Sequence, residues 1–374
     1  MWPLFIGGFL GPFGGSLVTT MLPELARDLN VSVEVASTTL TAYLVPFAAT
    51  MLVSGTLAER MGRRRTVRMA YLVYALASVA AVVAPNFQLF FLARILQGAS
   101  NAFTTPVLVG AITDAVPAQR LNRSLGVFGS LQALGMAASP LAGGLSAAVC
   151  ALVAGVLFFL PPPDAARPAQ LGSSARWRAL ANRKLALAGF VAGVAYLTTS
   201  GILVLTALYA RVQFDLTPGL AGVVVAVFGV AGLLTGRRTG GWMDRFGVLR
   251  VGAVVHVVMG LACAMIALTA SFIPIVGVAL LVMLVAIGGV AGTAGRSTTQ
   301  SLAVTSAPTN RAGASSVMLA CQFGGSALAP ILWVPVFVGG APWLALVVAG
   351  VPALIAGLVL AIAWRMSAPP TVAS

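Results

Sequence analysis

Acidic side chains are scarce in this sequence: eight Asp and Glu and a single His stand in 374 residues, beside 22 Lys and Arg. All charged residues together make up 8% of the chain against 59% hydrophobic, and the mean hydropathy is +1.00. A water-soluble globule cannot cover its surface with so few polar groups, so the composition reads as an all-α polytopic membrane protein. The same scarcity argues against an enzyme, because hydrolytic and metal chemistry need paired bases, nucleophiles or ligands at one depth. Three cysteines, Cys150, Cys263 and Cys321, lie far apart inside apolar runs. Their odd number and spacing leave no disulfide framework and no metal site, and no cofactor is expected. A basic region ahead of Trp2 and a small-residue cleavage pattern are both missing, so the N-terminus reads as a first span.

A net charge of +14 would point to nucleic acid in a soluble chain. Here the arginines sit in short loops between apolar runs, so they orient the chain in a bilayer and no nucleic acid is expected. The stretch from Gly55 to Arg65 packs five charges and turn glycines between two long apolar runs. Each of its four arginines would cost about 2.5 to 3.5 kcal/mol at mid-depth, which places this loop in the cytoplasm. A weaker copy, Gly240 to Gly247, follows 185 residues later.

Apolar runs of about 20 residues then give twelve spans with both termini in the cytoplasm. The first four are 2–22, 35–57, 66–83 and 87–113; the last six are 185–209, 220–234, 251–270, 272–304, 313–333 and 342–364. A fifth span surrounds 135–144. A shortened sixth takes 145–160, only 16 residues, or about 24 Å of helix against a hydrocarbon core of about 30 Å. Eighteen of the 22 Lys and Arg fall inside, Arg27 and Arg211 outside, and Arg94 and Arg296 within helices. Moving the topology by one crossing breaks that bias. Pro308 to Arg311 repeats Pro117 to Arg120, so the halves read as parallel repeats. The expected organisation is a six-helix bundle over 1–160, a cytoplasmic linker over 161–184 ending in an interfacial helix, a second bundle over 185–366, and a tail over 367–374.

The pattern Gly-x-Leu-Ala-(Asp/Glu)-Arg-x-Gly-Arg, set here by Gly55, Glu59, Arg60, Gly62 and Arg63, resembles the loop between helices 2 and 3 of the major facilitator superfamily. Gly240, Asp244, Arg245 and Gly247 stand where the second half of such a transporter carries its copy. By this resemblance Asp114 is the partner of the first loop's arginines, an inside latch for the outward-facing state. Arg94, Gln97 and Gly98 resemble the helix 4 motif tied to coupling and substrate handling. Gly135, Pro140, Gly143 and Gly144 are similar to the helix 5 motif of antiporters, with Ser139 in place of its second glycine. Leu22-Pro23-Glu24-Leu25 is similar to the first outside loop of drug exporters. The short sixth span departs from the family pattern. The resemblance implies the major facilitator fold in a cell membrane, two bundles rocking around a central site, and efflux of a drug or metabolite by a monomeric bacterial antiporter with protons as the coupled partner.

Two arginines at membrane depth are the sharpest site signals, because an intramembrane charge must face a wet cavity or a partner. Arg94 is read as cavity-facing, with backbone carbonyls as the alternative partner. Arg296 is read the same way, the alternative being that its helix has already reached water. Tyr43, Asn101, Gln132, Tyr196, Phe228 and Gln322 are the remaining pocket candidates. All eight carboxylates fall at or beyond helix ends. The pocket is therefore expected to be neutral to positive and to favour a neutral or anionic amphipath. His256 titrates in the physiological range, but it lies close to Arg250 and is expected to snorkel to the interface. The third span looks plain and lipid-facing. The rival reading is a degenerate, non-transporting member or an uncoupled facilitator, because of the short sixth span.

Overall fold

Inside a bilayer every backbone N–H and C=O must be satisfied within the protein, and a helix does this within one segment. The computed structural model describes residues 2–15, 18, 21–105, 107–108, 111–112, 128, 131–132, 134–135, 138–139, 146–160, 180–307 and 311–367. Its helices are α1 (Trp2–Gly15), α2 (Leu22–Asp28), α3 (Val33–Met61), α4 (Arg63–Val82), α5 (Phe87–Asn101), α6 (Ser146–Phe159), α7 (Arg183–Gln213), α8 (Pro218–Phe246), α9 (Val248–Ile266), α10 (Pro274–Ser306), α11 (Arg311–Val338) and α12 (Pro342–Ser367). Helices α3 to α5 are the second to fourth spans, and α6 to α12 the sixth to twelfth. Among the described residues, eight helices (α3, α4 and α7 to α12) are long and apolar enough to cross a membrane.

The Gly55 and Gly240 stretches, expected as loops, are helical up to Met61 and Phe246. Both α3 and α8 have 29 residues, about 44 Å at 1.5 Å per residue, which exceeds a core of about 30 Å. The helix simply continues beyond the bilayer, since residues such as Leu57, Ala58 and Met61 favour it. Only one residue turns the chain at each place. Gly62 and Gly247 sit at φ 88° and 84°, a region that a side chain disfavours, and the next helix starts at once.

Direction follows from one contact. Arg211, at the end of α7, meets Glu24 of α2, so α3 and α8 both begin near this pair and run away from it. Gly62 and Gly247 thus lie at the same end of the molecule.

Close helix crossings repeat between the halves. A Cβ on Gly98 of α5 would sit 1.9 Å from the carbonyl oxygen of Tyr43, and one on Gly289 of α10 would sit 2.1 Å from that of Phe228, 185 positions after Tyr43. Likewise Gly135 abuts the Phe9 carbonyl of α1, and Gly325 the Gly193 carbonyl of α7. Each pair needs a residue without a side chain, so the parallel repeat is carried in the packing.

Three expectations change in this region. The fourth span is interrupted: α5 ends at Asn101, the chain turns at 102–104, and residues 105, 107–108 and 111–112 are helical again. At the turn the Thr104 hydroxyl, with one proton to donate, lies 2.7 Å from both the backbone and the side-chain oxygen of Asn101. The third span is not plain: α4 buries Tyr71, Tyr74 and Ser78. His256 does not snorkel. It is buried between α9 and α10, its Nδ1 2.6 Å from the Gly252 carbonyl oxygen and its ring against Gly295. Fourteen residues of the sixth helix, Ser146–Phe159, are described. It runs antiparallel to α4, with Cys150 against Tyr74 and Phe158 beneath Arg68.

Candidate functional site

The site begins at the Gly98 crossing, which brings α5 against α3 and turns Arg94, one helical turn earlier, into the protein. Arg94 is fully buried. Its Nη1 donates to the Gly14 carbonyl and to Gln97 Oε1, both at 2.9 Å, while Nη2 and Nε reach the Gly15 and Thr39 carbonyls at 3.4 Å. Its guanidinium lies 4.5 Å from the ring centroid of Tyr43, a cation–π contact. Gln97 passes a hydrogen bond on to Ser78 Oγ at 2.8 Å, and Ser78 donates to the Tyr74 carbonyl. The Tyr43 hydroxyl donates to the Gly11 carbonyl at 3.1 Å and accepts from Asn101 Nδ2 at 2.8 Å. Arg94, Gln97, Gly98, Tyr43 and Asn101 are thus one polar knot joining α1, α3, α4 and α5. The partners are carbonyls and amides, so the charge is satisfied without a carboxylate.

Across the molecule, Arg296 of α10 is half-buried, its guanidinium 6.0 Å from the ring centroid of Tyr196 on α7. Gln322 of α11 is buried and its Oε1 meets no donor among the described residues. Nearby on the same pair of helices, Ser200 and Ser326 share a short hydrogen bond. The polar run expected of α10 is largely turned on itself, because Ser297, Thr298 and Thr299 all donate to carbonyls three or four residues back.

The two arginines are connected. Tyr43 stacks on Phe47 (5.9 Å between centroids), Phe47 meets Phe323 of α11 edge-on (4.5 Å), and Phe323 meets Tyr196 (6.4 Å). Four rings therefore run from Arg94 in one half to Arg296 in the other. Around them Met51 and Ala102 pack with Leu319, and the Thr41 hydroxyl donates to the Ala327 carbonyl at 2.7 Å. Sequence reasoning missed Phe47 and Phe323, since phenylalanine in an apolar run looks like any lipid-facing residue. The i, i+4 spacing of Tyr43 and Phe47 was the available signal.

At the Glu24 end the halves also meet through charge. Both nitrogens of the Arg211 fork reach Glu24 at 2.6 Å, with Arg27 at 3.8 Å on the same carboxylate. Burial works to raise the pKa of Glu24, but the Arg211 hydrogen bonds and charge, with Arg27 behind them, outweigh it and hold the carboxyl below its usual 4.5.

Other expected residues lie apart. Phe228 is buried against Gly288 and Gly292 of α10 and does not join the rings. Gln132 is half-buried on a helical residue of the fifth span. Asp244, Arg245 and Gly247 are exposed at the Gly247 turn, the Arg245 guanidinium 5.3 Å from the Phe246 ring. The side chains of Glu59, Arg60 and Arg63, the surroundings of Gly55 and Gly240, and residues Asp114, Pro140, Gly143 and Gly144 lie outside the described residues.

Residues 4–330 match the family model described as Major Facilitator Superfamily. Similar curated proteins include the Puromycin resistance protein pur8 of Streptomyces alboniger, 35% identical over 133 residues, covering 35% of this chain and 26% of that protein. The Tetracenomycin C resistance and export protein of Streptomyces glaucescens is 26% identical over 148 residues (38% and 28%). Citrate exporter 1 of Aspergillus niger is 25% identical over 140 residues (37% and 27%). The matched stretch is therefore about a quarter of each relative's length. A crystal structure of the nucleoside transporter NupG superposes with a TM-score of 0.71 over 96% of this chain and 98% of that one, at 14% identity, which is a likeness of fold.

Proposed function

Since the chain belongs to the Major Facilitator Superfamily and is therefore a multi-pass membrane transporter, we propose that it exports a small amphipathic drug or metabolite, neutral or anionic, by alternating access. The observation that supports this substrate class is the half-buried Arg296 at the end of four aromatic rings that cross the α3–α11 contact. Among the described residues no carboxylate lies at that depth: Glu24 and Asp28 are on α2, Glu34 and Glu59 at the ends of α3, Asp215 after α7, and Asp244 in the last turn of α8. A positive, aromatic-lined centre attracts an anion or a polarised ring and repels a lipophilic cation. Relatives named for drug resistance, export and citrate export favour outward movement of such compounds.

In this reading two bundles, residues 1–160 and 185–366, rock about the centre of a cell membrane, and each chain works as a monomer. The Gly62 and Gly247 turns face the cytoplasm and the Glu24–Arg211 pair closes the outside. The Gly55, Glu59, Arg60 and Arg63 motif, with Asp114, latches the inner side in the opposite state. Arg296, Tyr196 and Gln322 receive the substrate, while Arg94, Gln97 and Gly98 hold the helix crossing that lets the first bundle move as one body. Protons drive the cycle. The lack of a described carboxylate within the spans favours one second reading, an uncoupled facilitator. Proteoliposome flux of a panel of anionic, neutral and cationic amphipaths, with and without a pH gradient, separates them. Gradient-driven accumulation supports the antiporter, equilibration alone supports the facilitator, and no flux of any compound supports a degenerate member.

A further inference from the structure

At the Gly62 end, away from the transport centre, Gly62, Arg64, Arg65, Arg68 and Met69 of the α3–α4 turn and Phe158 of α6 enclose an open groove of about 620 Å³. Arg64 and Arg65 are exposed. Arg68 is half-buried, its guanidinium 5.0 Å from the Phe158 ring centroid. Among the described residues no carboxylate pairs with any of the three. Three guanidiniums on one turn of helix, with no carboxylate partner among the described residues, repel one another and favour an anion between them, and their planar forks suit phosphate oxygens.

The groove's floor decides which anion. Met69, Val73 and Leu76 leave it along α4 at helical spacing, and Leu152, Val156 and Phe159 along α6, all exposed, Phe159 by 75% and Leu152 by 69%. Two apolar stripes thus run from the arginines down the outer face of the bundle. We propose that this groove binds one anionic phospholipid of the surrounding leaflet, its phosphate held by Arg64, Arg65 and Arg68 and its acyl chains lying on the two stripes. A free phosphate has no use for the stripes, whereas basic pockets between membrane helices at the bilayer surface are made for acidic headgroups. The repeat supplies an internal contrast. In the second half Arg250, 185 positions after Arg65, lies 5.4 Å from the Trp364 ring centroid, but Leu249 and Ala253 stand where Arg64 and Arg68 would be.

The proposal rests on the chain being a membrane protein and not on what it transports. Its test is native mass spectrometry of the full chain in neutral detergent with phosphatidylglycerol, phosphatidylcholine or inorganic phosphate. The expected result is one tightly retained phosphatidylglycerol. Retention falls about five-fold for each arginine removed, and so about a hundred-fold in the triple variant Arg64→Gln, Arg65→Gln, Arg68→Gln, while Arg250→Gln leaves it unchanged. Should the triple variant fail to fold, the exposed single change Arg64→Gln still reads the five-fold step. Equal retention of phosphatidylcholine, equal binding of inorganic phosphate, or wild-type retention in the arginine variants overturns the proposal.

Discussion

Arg94 and Arg296 sit on helices that cross their neighbours in the same way, and they are treated differently. Arg94 precedes its crossing glycine, Gly98, by four residues; Arg296 follows Gly289 by seven, about 10 Å further along the helix. The first guanidinium is sealed by carbonyls from two other helices, by Gln97 and by the face of Tyr43. The second is half-buried beside one tyrosine ring at the outer limit of a cation–π contact. A charge within a membrane can thus be a peg that fixes packing or a group that keeps an accessible face. The degree of burial, complete at Arg94 and partial at Arg296, tells them apart.

The sharpest way to break this comparison is to delete each charge. Arg94→Ala strands buried acceptors on α1, α3 and α5 and is expected to cost about 3 kcal/mol of stability, read as loss of folded protein in a thermal-shift series in detergent. Arg296→Gln is expected to keep the wild-type melting profile while lowering kcat/KM for an anionic substrate about 30-fold, roughly 2 kcal/mol at the transition state. If both variants lost stability alike, the distinction would be gone.

The rings between the arginines give the next smaller effect. A double-mutant cycle on Phe47→Leu and Phe323→Leu is expected to show a coupling of about 1 kcal/mol for closure of the outer side. Labelling of Ser37→Cys by an impermeant thiol reagent reads it, because Ser37 is buried in the closed form. Strictly additive labelling rates would mean that the rings merely fill space.

The smallest effect belongs to Glu24. Glu24→Gln is expected to weaken outer closure by at most about 1 kcal/mol, since the pair is partly exposed. The pH dependence has a definite sign. A carboxyl with a lowered pKa contributes fully above its ordinary value of 4.5 and loses its contribution as the pH falls through the lowered one. Because the thiolate is the reacting form, Ser37→Cys labelling is read relative to the same cysteine in the unfolded chain at each pH; that ratio should be flat between pH 5 and 8 and rise only in stronger acid, and the rise should vanish in Glu24→Gln.

Much of the fold was legible because lipid enforces it. Apolar length and arginine placement locate spans, and the 185-residue echo of Gly62 in Gly247 locates the second turn. The motif stretches were read as loops because charge marks where a chain leaves the bilayer, not where the helix ends. Arg94 was legible as a special residue, with a cavity or backbone carbonyls as its two possible partners; the sequence could not choose the carbonyls, because those of Gly14, Gly15 and Thr39 are atoms that any sequence would supply. His256 was misjudged for a related reason. Its proximity to Arg250 along the chain carried no information about Gly295 on the neighbouring helix, whose missing side chain makes room for the imidazole. Phe47, Phe323 and Thr41 act across the two halves, and pairings between distant segments leave no local periodicity to read.

The most direct measurement is a charge inversion at the half-buried arginine. In proteoliposomes, Arg296→Glu should lose flux of a lipophilic anion and gain flux of a cation of similar size and shape, with the protein still folded and monodisperse. Anion flux equal to that of the unaltered chain would contradict the assignment of Arg296 to the substrate.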